Sequence, residues 1–324
     1  AGGTIICTQY LGQKNHEMAN KSARQALFII TAISVFIVVL GLAFRAPLLS
    51  FIFGKVDADV MKNSMVYFFY TVLSYPFIAL YDAGASIFRA QENTRGPMVI
   101  SIISNVMNIV GNGILIWVFH MGVAGAAIST LVSRIFCAVV VLYQLRKDRQ
   151  PIVVRDYLKI RPDGKMIGRI LALGIPSGIE NSMFQLGKLA IQSTVSTLGT
   201  TAIAAQAMTN MLEMLNGTAV IGVGIGLMTV VGQSLGAGKK DEAVYYMKKL
   251  MIFSEVFLIA CCAVVYVLAR PITMIGGMEA KSAEMCLDMM FWITIVKPIV
   301  WMFAFIPAYG MRAAGDVKFS MITS

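Results

Sequence analysis

Residues 26–44 read ALFIITAISVFIVVLGLAF, an apolar run without a single charge. A helix needs about 20 such residues to cross the hydrocarbon core of a bilayer. The run leaves few alternatives. In lipid every backbone N–H and C=O must be satisfied within the segment, which a helix achieves and an open strand does not. Residues 98–119 are equally free of charge, and segments near 66–88, 123–145, 170–198, 206–235, 249–269 and 286–310 qualify with isolated charges. Residues 1–11 resemble the closing turns of a helix and 319–324 the opening turn of another. The expectation is eight complete spans and two partial ones, in a piece of a longer protein. Composition agrees: 14% of residues are charged, where a soluble domain carries about 25%. Pro76, Pro176, Pro298 and Pro307 fall inside spans, where each is expected to kink its helix.

The net charge of +10 raises nucleic acid as a partner, but the basic residues do not form one solvated face. They sit between the apolar runs. The loops 12–25, 89–97, 145–169, 236–249 and 311–318 hold 19 Lys/Arg, and the alternating loops hold five. By the excess of basic residues on the inner side of membranes, the first set, including 145–169, is cytoplasmic. Cys7, Cys137, Cys261, Cys262 and Cys286 lie in or beside apolar segments without metal-ligand spacing, so no disulfide framework or thiolate site is implied. The two histidines, His16 and His120, are isolated in loops and supply no metal site. A membrane-embedded enzyme lacks its nucleophile or metal here, and no cofactor is expected.

The chain repeats itself. Gln9, Leu11, Gly12 and Ala19 correspond to Gln233, Leu235, Gly236 and Ala243, and Pro47 to Pro271, all at an offset of 224 residues. RAQENTRGPM at 89–98 corresponds to RAAGDVKFSM at 312–321 at an offset of 223. Six spans separate the copies. Six is even, so both copies enter the membrane with the same polarity. Gly12 and Gly236 are expected to end their helices in the left-handed conformation. The fold class read from this pattern is all-α: a polytopic membrane helix bundle made of two parallel six-helix repeats, present from the second, partial span to the start of the eleventh. The division is an N-terminal bundle at 1–148, a cytoplasmic linker at 149–168 and a C-terminal bundle at 169–324. Transporters commonly place substrate between such halves, which a non-transporting scaffold would not explain.

The phrases QYLG at 9–12, QSLG at 233–236, RAQENTRGP at 89–97, RAAGDVK at 312–318, MGVAGAAIS at 121–129 and GIPSGIENSMFQLGK at 174–188 occur in this order. In that ordered set the chain resembles the multidrug and toxic compound extrusion (MATE) exporters along its whole length, most like Gram-positive bacterial members. The resemblance implies a secondary antiporter in the bacterial plasma membrane. It would export small amphipathic, often cationic xenobiotics by alternating access in exchange for H⁺ or Na⁺, as a monomer in the lipid bilayer and without nucleic acid. The alternative within the same wider superfamily is a lipid-linked oligosaccharide flippase, which would show a more cationic cavity. Some family members place the coupling acid on the first helix, others on the seventh and tenth. Here the seventh span has Glu180, whereas the tenth has Lys297 in place of an acid.

Ionisable groups at membrane depth are costly and mark function by default. Asp82, Glu180 and Glu255 face Arg134, Lys188 and Lys297 in number, so static ion pairs are one reading. Glu180 is the leading candidate for more. It lies four residues after Pro176. Asn181 and Gln185 are one helical turn apart on adjoining faces, and Lys188 lies eight residues on. Burial favours the neutral carboxyl, and a neighbouring Lys188 or Lys297 favours the charged one. Such a balance suits a group that exchanges a proton or Na⁺ against substrate. Asp82 and Arg134, on different spans, are expected to pair. Glu255 is expected to tie helices together, and Glu213 to be hydrated near the outer interface. Asn105, Asn108 and Asn112 share one face of the fifth span and either bond to a neighbouring helix or line a wet cavity. Gly217, Gly222, Gly224, Gly226 and Gly232 crowd the eighth span and permit close helix approach. Tyr70, Tyr75, Trp292, Trp301 and 22 Met offer an adaptable apolar surface.

Overall fold

The computed structural model describes residues 2–53, 58–147, 150–155, 157, 160–323. Among them all regular structure is helical: α1 Gly2–Gly12, α2 His16–Ala43, α3 Arg45–Phe53, α4 Ala58–Leu73, α5 Tyr75–Ala90, α6 Arg95–Gly113, α7 Gly122–Leu145, α8 Gly164–Ser196, α9 Thr200–Gly236, α10 Lys240–Ile275, α11 Ala280–Ala304, α12 Ile306–Ala314 and α13 Val317–Thr323. A π-helical turn, Ile114–Val118, extends α6. Seven helical stretches among the described residues are long and apolar enough to cross a membrane, with α4–α5, α6 with its π turn, and α11–α12 each counted as one. The chain is a multi-pass membrane protein. The span expected at 170–198 is the exception. It forms the 33-residue α8, which is long enough but is not among the seven. The polar series Glu180, Asn181, Gln185 and Lys188 dilutes its apolar character.

Proline acts in two ways. Pro176 and Pro298 lie inside continuous helices. Pro76 and Pro307 instead open new helices, α5 and α12, after breaks at Ser74 and Phe305. A ring without an N–H is tolerated in a first turn, where no intrahelical donor is required. Pro47 and Pro271, matched in sequence, also differ. The chain breaks at Phe44 ahead of α3, whereas Pro271 lies within unbroken α10.

Two compact units emerge, Ala1–Ile170 and Leu171–Ser324. In the first, α1, α2, α5 and α7 pack around Cys7, Ala19, Ala23, Leu27, Phe88 and Val141. Residues 150–163 belong to this unit. Ile152 N donates to Gln91 Oε1 (2.9 Å), Val153 N donates to Asn20 Oδ1 (2.7 Å), and Gln25 Nε2 donates to Arg161 O (2.7 Å). Tyr157 donates to Leu142 O at 2.7 Å, and burial pushes its hydroxyl up to about 12. In the second unit α9 packs on α10, α11 and α12, and Leu212, Ala269, Cys286 and Met290 form a core among α9, α10 and α11.

Helix ends recur at the repeat spacing. α1 stops at Gly12 and α9 at Gly236, α2 starts at His16 and α10 at Lys240, and α5 stops at Ala90 and α12 at Ala314. The turns after them recur bond for bond. Asn15 N donates to Tyr10 O (3.0 Å), and Lys239 N to Ser234 O (2.9 Å); Asn93 N donates to Phe88 O (3.0 Å), and Asp316 N to Met311 O (3.0 Å). These six-to-one bonds close a helix when the residue before the donor is left-handed. That residue is Lys14 (φ 56°) in the first copy and Gly238 (φ 77°) in the second, and likewise Glu92 (φ 63°) and Gly315 (φ 92°). Gly12 and Gly236 are therefore the last helical residues, not the left-handed caps expected of them.

Candidate functional site

In the first unit the break at Ser74 is held from outside. Ser74 is fully buried; its hydroxyl donates to Thr71 O (2.6 Å) and accepts a bond from the Arg134 guanidinium on α7. Arg134 is thus anchored to the α4–α5 junction. The expected partner, Asp82, forms no ion pair among the described residues and is exposed. Beside Arg134 a cavity of about 280 Å³ opens between α5, α6 and α7. Asn105, Asn108, Thr130 and Arg134 are among its walls. Both readings of the asparagine face hold in part. Asn108 Nδ2 reaches Ser129 Oγ (3.4 Å) and Thr130 Oγ1 (3.3 Å) on α7 while lining the cavity. Asn112 donates to Asn108 Oδ1 at 3.3 Å. Gly111 permits the approach, since a Cβ there would sit 2.5 Å from Ser129 Oγ.

In the second unit the charges pair, but not as the sequence suggested. Glu180 forms an ion pair with Arg312 in the last turn of α12, and Ser320 Oγ donates to its other oxygen at 3.4 Å. Its side chain is 12% exposed. Neither Lys188 nor Lys297 is its partner. Lys188 lies over the Phe184 ring (5.0 Å), and residues 181–190 are all exposed. Asn181 donates back to Ser177 O at 2.7 Å. No hydrogen bond joins Gln185 to the Glu180 carboxylate.

Lys297 builds a separate centre between α9 and α11. Its Nζ lies 3.2 Å from Glu213 Oε1, 2.8 Å from Asn216 Oδ1, and 5.4 Å from the centre of the Trp301 ring. Glu213 is therefore a partner and not merely a hydrated residue. The spacing Glu213, Asn216, Gly217 was the available signal: one helix face with two oxygen acceptors and a gap, where a Cβ on Gly217 would come 3.5 Å from Lys297 Nζ. Asn216 Nδ2 and Trp301 Nε1 are buried there without partners. Glu255 does not tie helices together by charge: among the described residues it has no ion pair, and its buried Oε2 has no hydrogen bond. Among the described residues no three His, Cys, Asp or Glu side chains gather as a metal-binding group.

The MatE family profile matches residues 1–114 and 176–324. The chain belongs to the MatE family. It is 25% identical over its full length to "Probable multidrug resistance protein YoeA" of Bacillus subtilis, of which it spans 71%. It is 23% identical over 87% of its length to "Probable multidrug resistance protein NorM" of Thermotoga maritima, of which it spans 61%. Two solved structures share the fold at 18% identity, each over 99% of this chain and 71% of the other. One is an outward-facing multidrug resistance MATE family transporter of the MOP superfamily (TM-score 0.90), the other a MOP superfamily transporter from Pyrococcus furiosus (TM-score 0.89). Glu180, Glu213, Lys297 and Arg312 lie inside the matched MatE stretches, whereas Arg134 lies outside them.

Proposed function

We propose that this chain is the larger part of a multidrug efflux antiporter of the bacterial plasma membrane, with the 145–169 loop cytoplasmic. It exports small amphipathic, often cationic compounds in exchange for H⁺ or Na⁺ by alternating access. Family membership and the names of the relatives support the transport reading. One observation carries the coupling: a largely buried Glu180 carboxylate held by Arg312 and Ser320. In a low-dielectric site a carboxylate and a guanidinium attract strongly. A proton or Na⁺ competing for Glu180 weakens that attraction and frees the last turn of α12 from α8. Loading the ion and moving a helix then become one event, which antiport requires.

The test is dye export by the full-length protein, with pH and Na⁺ gradients imposed separately. One of the two gradients is expected to drive ethidium efflux. Glu180→Gln keeps the shape and one acceptor for Arg312, places an N–H₂ where Ser320 now donates, and neither titrates nor binds Na⁺ as a carboxylate does. It is expected to abolish gradient-driven efflux while leaving dye binding within a few-fold. Efflux by Glu180→Gln at the unmutated rate would overturn the assignment.

A further inference from the structure

We infer that the cavity of the first unit is an oxyanion receptor, reading a carboxylate, sulfonate or phosphate head group through Arg134 and Asn105. The two units treat their intramembrane charges differently. In the second, Lys297 and Arg312 each have a carboxylate at contact. In the first, Arg134 has none among the described residues. Its one hydrogen bond goes to a neutral hydroxyl, Ser74 Oγ, leaving most of its five N–H donors uncommitted. A guanidinium at membrane depth without a carboxylate at contact is expensive; Asp82 acts on it only from a distance, and Arg134 forms part of the wall of a cavity of about 280 Å³.

The cavity walls sharpen the polarity. No carboxylate is among them. Asn105, directly on the wall, makes no hydrogen bond among the described residues, so its amide N–H groups are available. Four of the wall hydroxyls are committed as donors: Tyr81 to Pro97 O (2.9 Å), Ser104 to Ser133 O (3.1 Å), Ser133 to Ser129 O (2.6 Å), and Thr130 to Ala126 O (2.9 Å). Arg134 cannot swing freely, because Ser74 fixes one end of its fork. The wall thus combines an anchored planar cation with a second donor, Asn105. That is the geometry that binds two oxygens of an oxyanion at once. Ile78 and Cys137, also on the wall, give the body of an amphiphile an apolar surface.

Naming such a compound a substrate rests on the efflux reading; binding does not. The experiment is therefore equilibrium binding to the full-length protein in phosphatidylcholine nanodiscs. The probe is dansylate, a fluorescent sulfonate, against uncharged dansylamide with the same ring system. Dansylate is expected to bind at least tenfold tighter. Arg134→Gln should erase that preference while leaving dansylamide unchanged, and Arg134→Lys should retain part of it. Asn105→Asp breaks no existing hydrogen bond and places a carboxylate against Arg134; it should abolish dansylate binding. It stands as the deciding variant if Arg134→Gln does not fold. Adding phosphatidylglycerol separates the sources: displacement of dansylate assigns the head group to lipid, and persistence assigns it to the solute. Equal binding of the two probes by the unmutated protein would overturn the inference, as would an Arg134→Gln protein that loses both by the same factor. Failure of ethidium efflux would sink the export reading while leaving this binding result standing.

Discussion

Lys297 shows how much one intramembrane charge depends on its neighbours. It is 10% exposed and Glu213 35%, and both oxygen acceptors around the ammonium lie on α9. Removing one member of a buried pair leaves the other uncompensated, and partial hydration of Glu213 softens the penalty. Lys297→Met is therefore expected to cost about 1–3 kcal/mol. The double variant Lys297→Met/Glu213→Gln should recover most of that loss in thermal unfolding in detergent. A double variant no better than the single one would mean that the pair is not what the lysine supports. A charge outside the spans yields a pH prediction. The Lys21 ammonium beside Asp163 holds its carboxyl below the ordinary range, helped by the amides of Met166 and Lys165 at the start of α8. A carboxyl with a depressed folded pKa contributes stability that is present above its unfolded pKa of about 4 and is lost as pH falls through the folded value. The Tm difference between the unmutated protein and Asp163→Asn should therefore be present at pH 7 and vanish in strong acid. A difference independent of pH would leave capping, not charge, as the cause. At this scale the sequence showed which residues were expensive but not their partners. Lys188 was visible eight positions from Glu180 on one helix, whereas Arg312 is 132 residues away. Spacing along one helix says nothing of how a second is rotated against it.

Between helices, close approach is set by a few small residues. Gly224 on α9 faces Tyr309 on α12, and a Cβ there would lie 2.5 Å from Cε2 and 2.6 Å from Cδ2 of the ring. An aromatic ring cannot bend away, so α12 would have to shift. Gly224→Ala is expected to destabilise by about 1–3 kcal/mol. Gly222→Ala, where a Cβ meets nothing within 4 Å, should be neutral or gain up to about 1 kcal/mol from better helix propensity. Thermal unfolding of the two variants side by side checks this, and equal Tm values would mean that α9 and α12 are not in contact at Gly224. The glycine cluster was legible in the sequence, but which glycine carried a neighbour was not, since Gly226 also meets open space. Helix breaks were half legible. Pro76 and Pro307 start helices and Pro298 does not, although all three lie within apolar runs. The difference at Pro76 lies in its surroundings: Ser74 bonds back to Thr71 O and is met by Arg134 from α7, so the freed backbone has local partners.

Across the whole chain, the recurring phrases mark helix ends, and helix ends decide which loops share a side. The turn Ala237–Lys239 follows α9, and the turn Gly276–Glu279 follows α10. Between them α10 runs for 36 residues, about 54 Å at helical rise and longer than the roughly 30 Å of bilayer hydrocarbon. The two turns must therefore lie on opposite faces of the membrane if α10 crosses it. The basic residues set the expectation for which face is which. Lys239, Lys240, Lys248 and Lys249 flank the first turn, while the second has only Arg270 and Lys281 nearby. The first turn also repeats the turn after α1 bond for bond, and the repeat predicts the same side for Gln13–Asn15. Ala237 and Glu279 are both exposed, and the five native cysteines are buried or half-buried. In intact cells expressing the full-length protein, Glu279→Cys should react with a membrane-impermeant maleimide and Ala237→Cys should not. After permeabilisation both should react. If α8 crosses together with the seven more apolar stretches, six spans separate the two copies, and Gln13→Cys is then expected to follow Ala237→Cys. Labelling of Gln13→Cys from outside would break the parallel repeat, and labelling of Ala237→Cys from outside would invert the whole assignment.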